Sequence, residues 1–469
     1  MLRLTQADVE RFAAASGDHN PLHVSPAYAR TTAFGGPIAH GVLGLLAAAD
    51  ALGQRLRRIA VEFPRPLLLD ADYAVEVRED GPDACSIELR DGSRPVLRGV
   101  LEFGEAEPVQ LTASSTAVLR ERAAKRLAFT RGEVIAGSYA PDLEPLLHRF
   151  ALASKGLDRA HVLALALCSY VIGMELPGEL ALFTKLVLEF HAGPHAGPLA
   201  YEARVDGWQA RAGSLRVGLE LRVGASVWAT GSLRAFVRAD ADDDGAPARS
   251  SRLDPQAFAG KTALVIGASR GLGRALARAF ADHGGTVWSV SRSPSRHTNS
   301  LQADAGDPEQ LARALERVPA IDVLICNASP PLQPLLLEPA TAARVHAHIS
   351  QAVALVAAPL ALCLPRLAQS QGVALLSSSQ AVSAPPLEWA HYVAAKRAAE
   401  GLFEVAALQY PAIGFLVARM PRLDTAFTLN VAGEPAASTH EVALQLLERM
   451  AGPHPERGQV EIMTRFDRA

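Results

Sequence analysis

Tyr392 and Lys396 stand four residues apart, a spacing that sets both side chains on one face of a helix, and Ser379 precedes the tyrosine by thirteen residues. Reducing a carbonyl requires a hydride on carbon and a proton on oxygen, delivered from different sides of one bond. Tyrosine can supply that proton. Its ordinary pKa of about 10 is high for exchange at neutral pH, so a neighbouring ammonium that draws it down is useful. A serine hydroxyl can meanwhile hold the substrate oxygen. A second set lies near the start of the chain, in Gly17-Asp18-His19-Asn20-Pro21-Leu22-His23. It places a carboxylate and an imidazole five residues apart across an Asn-Pro turn, where proline restricts the residue before it. Removing water from a 3-hydroxyacyl thioester takes an α-proton away, protonates a leaving hydroxyl and stabilises an enolate oxygen. An Asp/His pair suits the first two tasks, each worth about 10²–10⁴-fold. Backbone N–H groups at a helix start, such as the one Pro37-Ile38-Ala39-His40-Gly41 introduces, suit the third.

The elements that must hold the first set follow residue 260. Short β-branched or apolar runs at 262–268, 286–291, 322–328, 373–377 and 414–420 alternate with helix-period stretches such as 272–283 and 395–409. That alternation predicts a doubly wound parallel sheet. Gly267-Ala268-Ser269-Arg270-Gly271-Leu272-Gly273 sits between the first strand and first helix, where glycines let the backbone turn against a pyrophosphate. From about 260 to 463 the chain resembles a short-chain dehydrogenase/reductase. The resemblance implies that Ser379, Tyr392 and Lys396 are catalytic. It implies that Gly267, Ser269, Arg270, Gly271, Leu272, Gly273, Asp304, Asn327 and Ala328 bind a nicotinamide cofactor along with Tyr392 and Lys396. No carboxylate ends the second strand, which reads Val290-Ser291-Arg292; Arg270 and Arg292 can both reach a 2′-phosphate, so NADPH is expected. Three departures stand out. Ile266 replaces the usual Thr, Met420-Pro421-Arg422-Leu423-Asp424-Thr425 replaces the usual Pro-Gly, and residues 346–354 lack the asparagine that completes the family's proton relay. Ser350 and Gln351 stand nearest to that position.

Before the acidic, Gly/Pro-containing linker the pattern changes. A helix at 6–15 leads into a Gly/Pro-rich loop, an apolar helix is predicted at 39–56, and strands at 58–63, 72–78, 84–89 and 96–103. Residues 4–103, with Thr31-Thr32-Ala33-Phe34-Gly35-Gly36-Pro37-Ile38-Ala39-His40-Gly41, resemble the MaoC-like, (R)-specific enoyl hydratases of the hot-dog fold. That resemblance implies Asp18 and His23 as the catalytic pair, with Gly41 and His40 at the oxyanion or substrate and Asn20 structural. Which of Asp18 and His23 takes the α-proton stays open. A similar layout recurs downstream: helix 160–175, then strands 183–190, 199–208, 215–223 and 226–237. It has no Asp-x-Asn-Pro-x-His, and His148, His161, His191 and His195 are scattered, so a second, degenerate hot-dog is expected, paired edge to edge with the first.

The expected architecture is therefore two α+β hot-dog domains, the second degenerate, followed by an α/β Rossmann-type doubly wound parallel sheet. The divisions are 1–110, a connector 111–128, 129–238, a linker 239–258 and 259–469. The 469 residues, 49% hydrophobic and 20% charged, exclude a disordered chain. A net charge of -3 gives no electrostatic reason for a nucleic-acid or anionic-membrane partner. The longest apolar runs, 162–168 and 353–364, fall short of the ~20 residues that span a bilayer. The N-terminus reads as an amphipathic helix, without a signal-peptide apolar region. Cys85, Cys168, Cys326 and Cys363 are widely spaced and form no metal pattern, so no metal and a reduced, cytoplasmic setting are expected.

Together the two halves read as a 3-oxoacyl-thioester reductase joined to a (3R)-hydroxyacyl-thioester dehydratase of fatty-acid or polyketide type. The expected substrate is an acyl thioester, carrier-protein-bound or on CoA, and the expected assembly a homo-oligomer. Arg55, Arg57 and Arg58, or Arg120, Arg122, Lys125 and Arg126, are the basic clusters a carrier's acidic surface would use. Hydration followed by oxidation of acyl-CoA is the alternative direction, which the absence of an acid at 290–292 disfavours. A non-catalytic acyl-binding scaffold is the third reading. Substitution separates them: Tyr392→Phe is expected to abolish reduction of a 3-oxoacyl thioester while sparing dehydration, and Asp18→Asn to do the reverse. If neither change affects either conversion, the enzymatic readings are wrong.

Overall fold

In a computed structural model of the chain, residues 1–49, 55–104, 109–112, 118–144, 146, 157–238, 253–292, 299–423, 436–453 and 458–466 are described. Most of the expected linker, His148, Asp424 and Thr425 lie outside them. The chain forms two compact units, Met1–Ala239 and Asp240–Ala469.

The first unit opens with helix Gln6–Ser16. Thr5 caps it by accepting from the Asp8 N–H, and the Asp8 carboxylate accepts from the Thr5 N–H at 3.0 Å, a reciprocal box that fixes the first turn. Gly17, at φ +72°, ends it in the left-handed region, and the chain turns directly into Asp18. The next long element, helix Gly41–Ala48, is shorter than expected: Leu56 already belongs to strand Leu56–Glu62. From Arg58 the side chains alternate, with Ile59 and Val61 buried and their neighbours more exposed, so period two overrides the apolar run that suggested helix.

One ten-stranded sheet runs through the unit in the order Leu2–Arg3, Asp72–Gly81, Ala84–Asp91, Arg94–Phe103, Leu56–Glu62, Ala181–Phe190, Ser226–Val237, Ser214–Val223, Leu199–Gln209, Val134–Ser138. Its two halves repeat one topology. In each, the strand after the apolar helix pairs with the last strand of its half, then come the second-last and third-last, and a short edge strand from earlier in the chain closes the row. The halves meet where Leu56–Glu62 pairs antiparallel with Ala181–Phe190, in the register Ala60 to Val187. Each half thereby covers an edge that would otherwise expose unpaired backbone groups. Helix Gly41–Ala48 packs with helix Arg159–Tyr170, which continues as a π-helical turn, Val171–Glu175. Apolar side chains from both helices and from strands on both sides of the seam form one continuous core.

The second unit is a seven-stranded parallel sheet ordered Ser300–Gln302, Thr286–Ser291, Thr262–Ile266, Val323–Cys326, Val373–Ser379, Gly414–Met420, Val460–Met463. The doubly wound arrangement expected from the alternating pattern is present. The strand order reverses beside Thr262–Ile266, which leaves a crevice at the carboxyl ends of the strands. Helix Ala342–Ser370 carries Pro359 and Pro365 and buries Val345, Val356, Leu360, Cys363 and Leu367. With its lead-in turn it is long and apolar enough to cross a membrane by length and composition, yet it packs against helix Ala390–Gln409 and strand Val323–Cys326.

Candidate active sites

In the first unit, Asp18 is 1% exposed. Its Oδ2 accepts a 2.7 Å hydrogen bond from the Ser169 hydroxyl, and its Oδ1 accepts from the Asn20 N–H at 3.3 Å. Ser169 lies on the helix of the following half, 151 residues away. Gly173, one turn further on, is where that helix makes room: a β-carbon there would fall 2.2 Å from Asp18 Oδ1. Asn20 ties the loop to the same segment, its Nδ2 donating to the carbonyls of Gly173 and Gly178, both at 2.9 Å. Its Oδ1 accepts from the Leu22 N–H and so caps the short helix Pro21–Val24 that carries His23.

His23 Nδ1 lies 2.8 Å from the Ile38 carbonyl. A carbonyl only accepts, so Nδ1 carries the proton and Nε2 presents a lone pair. The His40 ring lies 3.9 Å from the His23 ring, centroid to centroid. His40 Nε2 donates to the Asp18 carbonyl at 3.1 Å and stands 3.8 Å from Asp18 Oδ2, so His40 braces both members of the pair. Burial pushes the Asp18 carboxyl up to about 7, opposed by the bonds from Ser169 and Asn20. Burial pulls His23 down to about 4; the Ile38 bond opposes this and the charge of Arg238 adds to it. Near pH 7 the pair is thus a carboxyl about half protonated beside a neutral imidazole, a proton donor and a proton acceptor together. Gly41 heads helix Gly41–Ala48 without a side-chain cap from His40. Its missing β-carbon also answers to packing, since one would meet the Phe63 ring at 2.8 Å. His19 is exposed, and His161 and His195 bond to backbone carbonyls of Leu56 and His191.

In the second unit, Ser379 ends strand Val373–Ser379 and Tyr392 and Lys396 lie on helix Ala390–Gln409. Ser379 lies close enough to the Tyr392 hydroxyl to lower its pKa. Lys396 Nζ donates to the Ser377 carbonyl at 2.6 Å and sits 5.6 Å from the centre of the Tyr392 ring. The expectation that the ammonium draws the phenol down is not met. Burial holds Tyr392 above its ordinary value, with Ser379 opposing. The lysine moves instead: burial lowers it to about 8, opposed by Cys326 and Glu400.

The glycine loop has the shape a dinucleotide needs. Gly267 and Gly271 take φ of +89° and +53°. A β-carbon on Gly273 would lie 2.0 Å from the Gly267 carbonyl. Asn327 Nδ2 donates to that carbonyl at 3.1 Å and so pins the loop to the end of strand Val323–Cys326. Ala328 stands within 2.8 Å of where a Gly267 side chain would begin, while Leu272 is core and Ser269 is exposed. Helix Gly271–Asp282 starts without a side-chain cap from Arg270, leaving its first N–H groups to meet an anion. The residues present therefore fit a nicotinamide dinucleotide. Arg270 is held below its usual value, first by burial and then by the positive charge of Arg292. Asp304 Oδ1 accepts from the Gly306 N–H at 2.9 Å and is held in a turn after strand Ser300–Gln302.

Two supports escaped the sequence. Ser169 and Gly173 stand four apart on an otherwise apolar buried helix, a small polar stripe whose partner is not visible locally. Glu400, one turn after Lys396, is buried; its carboxylate accepts from Ser378 and takes a two-nitrogen salt bridge from Arg419, with Nη2 at 2.7 Å. The i, i+4 spacing of Lys396 and Glu400 was its signal.

Comparison with known proteins places each unit in a family. The MaoC-like domain family matches residues 1–92 and the short-chain dehydrogenase family matches residues 261–420. The chain is 39% identical over 94 residues to an (R)-specific enoyl-CoA hydratase of Aeromonas caviae, covering 18% of this chain and 70% of that one. It is 37% identical over 94 residues to 3-hydroxyacyl-thioester dehydratase X of Mycobacterium tuberculosis, covering 19% of this chain and only 33% of that relative's length. Among solved structures, an alcohol dehydrogenase of Thermococcus sibiricus complexed with 5-hydroxy-NADP is 25% identical, over 43% of this chain and 95% of that one, with a TM-score of 0.40. A short chain dehydrogenase of Burkholderia cenocepacia in complex with NADP is 23% identical over 45% of this chain and 90% of that one, also with a TM-score of 0.40. The chain belongs to the MaoC-like hydratase family by its N-terminal hot-dog and carries a short-chain dehydrogenase domain in its second unit.

Gly173→Ala forces a methyl into the Asp18 carboxyl, a short buried group with nowhere to move. It is expected to lower dehydration about 100-fold while leaving reduction at its original rate. Parallel assays of the two conversions check this; equal rates of dehydration in both proteins would contradict it.

Proposed function

We propose that this chain is a bifunctional enzyme that reduces 3-oxoacyl thioesters with NADPH and dehydrates the resulting (3R)-hydroxyacyl thioesters to trans-2-enoyl thioesters. The observation that carries the reading is that one chain holds both sites: Asp18 and His23 each against the His40 ring, and Tyr392 near Ser379 with Lys396 alongside. The product of the second site is the substrate of the first, which suits a biosynthetic direction.

At the reductive site, bound NADPH supplies the hydride. Ser379 holds the substrate oxygen, Tyr392 donates its proton to that oxygen, and Lys396 replaces the proton on Tyr392. NADPH is favoured because Arg270 and Arg292 lie close enough for one charge to disturb the other, a repulsion that a 2′-phosphate between them relieves. At the dehydrating site, neutral His23 takes the α-proton through Nε2 and protonated Asp18 gives its proton to the leaving hydroxyl. The N–H groups opening helix Gly41–Ala48 face the developing enolate in this reading. Residues 129–238 serve as a second, degenerate hot-dog, supported by the repeated strand order and by its loan of Ser169 and Gly173 to Asp18.

For the thioester handle, a carrier protein fits the pairing of consecutive biosynthetic steps. A CoA thioester is the second reading, favoured by the state of the basic clusters. Arg57 and Arg58 pair with Glu102, Arg55 lies 3.5 Å from Asp158, and Arg120 and Arg126 pair with Glu175 and Glu133. Little of that charge is left for an acidic carrier surface.

Incubating a short 3-oxoacyl thioester with the protein and NADPH, then weighing the products, tests the reading. Appearance of the enoyl mass is expected with NADPH and much less with NADH; no conversion with either cofactor, on CoA or on a carrier, would reject it. The pH dependence assigns the roles at the first site. With His23 as base and Asp18 as acid, dehydration of a 3-hydroxyacyl thioester stays high above about 4 and falls as pH rises through about 7. A rate that climbs through about 7 would make Asp18 the base instead.

A further inference from the structure

The positions that sequence singled out for the missing relay asparagine, Ser350 and Gln351, are both exposed. A different side chain of helix Ala342–Ser370 faces the reductive site. His348, 9% exposed, lines a cleft of about 320 Å³ together with Tyr392, Lys396, Cys326, Ser329 and Ala352. The Pro331 backbone is a hydrogen-bond partner of its ring. Proline has no N–H, so its carbonyl accepts. His348 Nε2 is buried without a partner among the described residues, so the donor is Nδ1 and Nε2 presents a lone pair. The cleft has room for a water molecule. A buried acceptor without a partner is costly, and a water between it and a lysine N–H removes that cost.

We propose that His348 is the positioning residue of the proton relay behind Tyr392, holding through Nε2 the water that reprotonates Lys396. The inference rests on the reductase reading of this site. As an ammonium, Lys396 donates to the oxygen of that water, and the water donates one O–H to His348 Nε2. When Tyr392 has given its proton to the substrate oxygen, Lys396 passes one to the phenolate and becomes an amine. The water then gives a proton to Nζ and takes one from bulk solvent, so each turnover consumes one solvent proton and leaves His348 unchanged. The ring must stay neutral to accept, and its surroundings favour that. Burial and the charge of Lys396 lower it to about 4, and the ring of His391, 4.5 Å away, is itself pulled down to about 4 by burial, with His348 and Arg344 adding. Tyr392, on the same wall of the cleft, is neutral between turnovers.

Three variants and one spectrum test this. His348→Leu, which keeps bulk and removes the acceptor, is expected to lower kcat for reduction about 10- to 100-fold with KM within about twofold, and to raise the solvent deuterium isotope effect on kcat. His348→Asn, which can accept a hydrogen bond, is expected to recover most of the rate and the smaller isotope effect. Unchanged kcat and isotope effect in the leucine variant would overturn the proposal. So would an equal loss in both variants, since that marks a packing role. Nitrogen NMR of the histidine rings needs no turnover: at pH 7, His348 is expected to be protonated on Nδ1 alone, with a bare Nε2 resonance that shifts in Lys396→Met. An Nε2 proton, or no shift, would overturn the proposal. If the unaltered protein reduces no 3-oxoacyl thioester, the reductase reading fails, and the ring spectrum still decides whether His348 and Lys396 share a water.

Discussion

The burial of one carboxyl group, that of Asp18, organises the first unit. A charged carboxylate with 1% exposure is expensive, so the surroundings either pair it or keep its proton on. Among the described residues no cation stands within reach. The side-chain partners are a serine hydroxyl, 2.7 Å away, and the ring of a neutral histidine at 3.8 Å. The proton therefore stays on until about neutrality. The enclosure comes from the second half of the unit. Ser169 supplies the hydroxyl, Gly173 the space and Gly178 a carbonyl for Asn20, all of them around a helix whose own half lacks the Asp/His motif. The seam between Leu56–Glu62 and Ala181–Phe190 keeps the two halves in register, so the half without the Asp/His motif encloses the carboxyl of the half that has it.

The second unit solves its problem with the ends of parallel strands. Thr262–Ile266, Val323–Cys326 and Val373–Ser379 finish side by side, and their ends deliver the glycine loop, Asn327 and Ser379 to one crevice. Helix Ala390–Gln409 then brings Tyr392 and Lys396 over the serine. Buried charge is managed here by pairing: Glu400 is locked by Arg419 and Ser378, and its negative charge keeps Lys396 from falling further. The two units thus handle protons differently, one by withholding a charge and the other by balancing it.

Much of this was legible in the sequence because the informative patterns are local. The Gly267–Gly273 loop, the Tyr392/Lys396 spacing and the Asp18–His23 turn each span a few residues, and alternation in the first unit and short apolar runs in the second marked nearly every long strand. What escaped was non-local or marginal. Ser169 meets Asp18 across 151 residues, and nothing in a buried apolar helix announces that one serine faces a carboxyl on another element. The apolar run after residue 39 suggested a helix as far as 56, because the alternation that makes Leu56–Glu62 a strand begins only at Arg58. Edge strands such as Leu2–Arg3 and Ser300–Gln302 are too short for any period to register. The lysine's effect on Tyr392 was inferred from charge alone. Burial, which only the packed structure reveals, sends the phenol the other way.

Enclosure by the second half keeps the Asp18 proton on to near neutrality. Carbon-13 NMR of the aspartate carboxyls, with Asp18 assigned by loss of its signal in Asp18→Asn, measures this directly across pH. A midpoint near 7 is the result this structure requires. A midpoint at the ordinary aspartate value of 3.8 would mean that the carboxyl is solvated, and that the second half does not build the site.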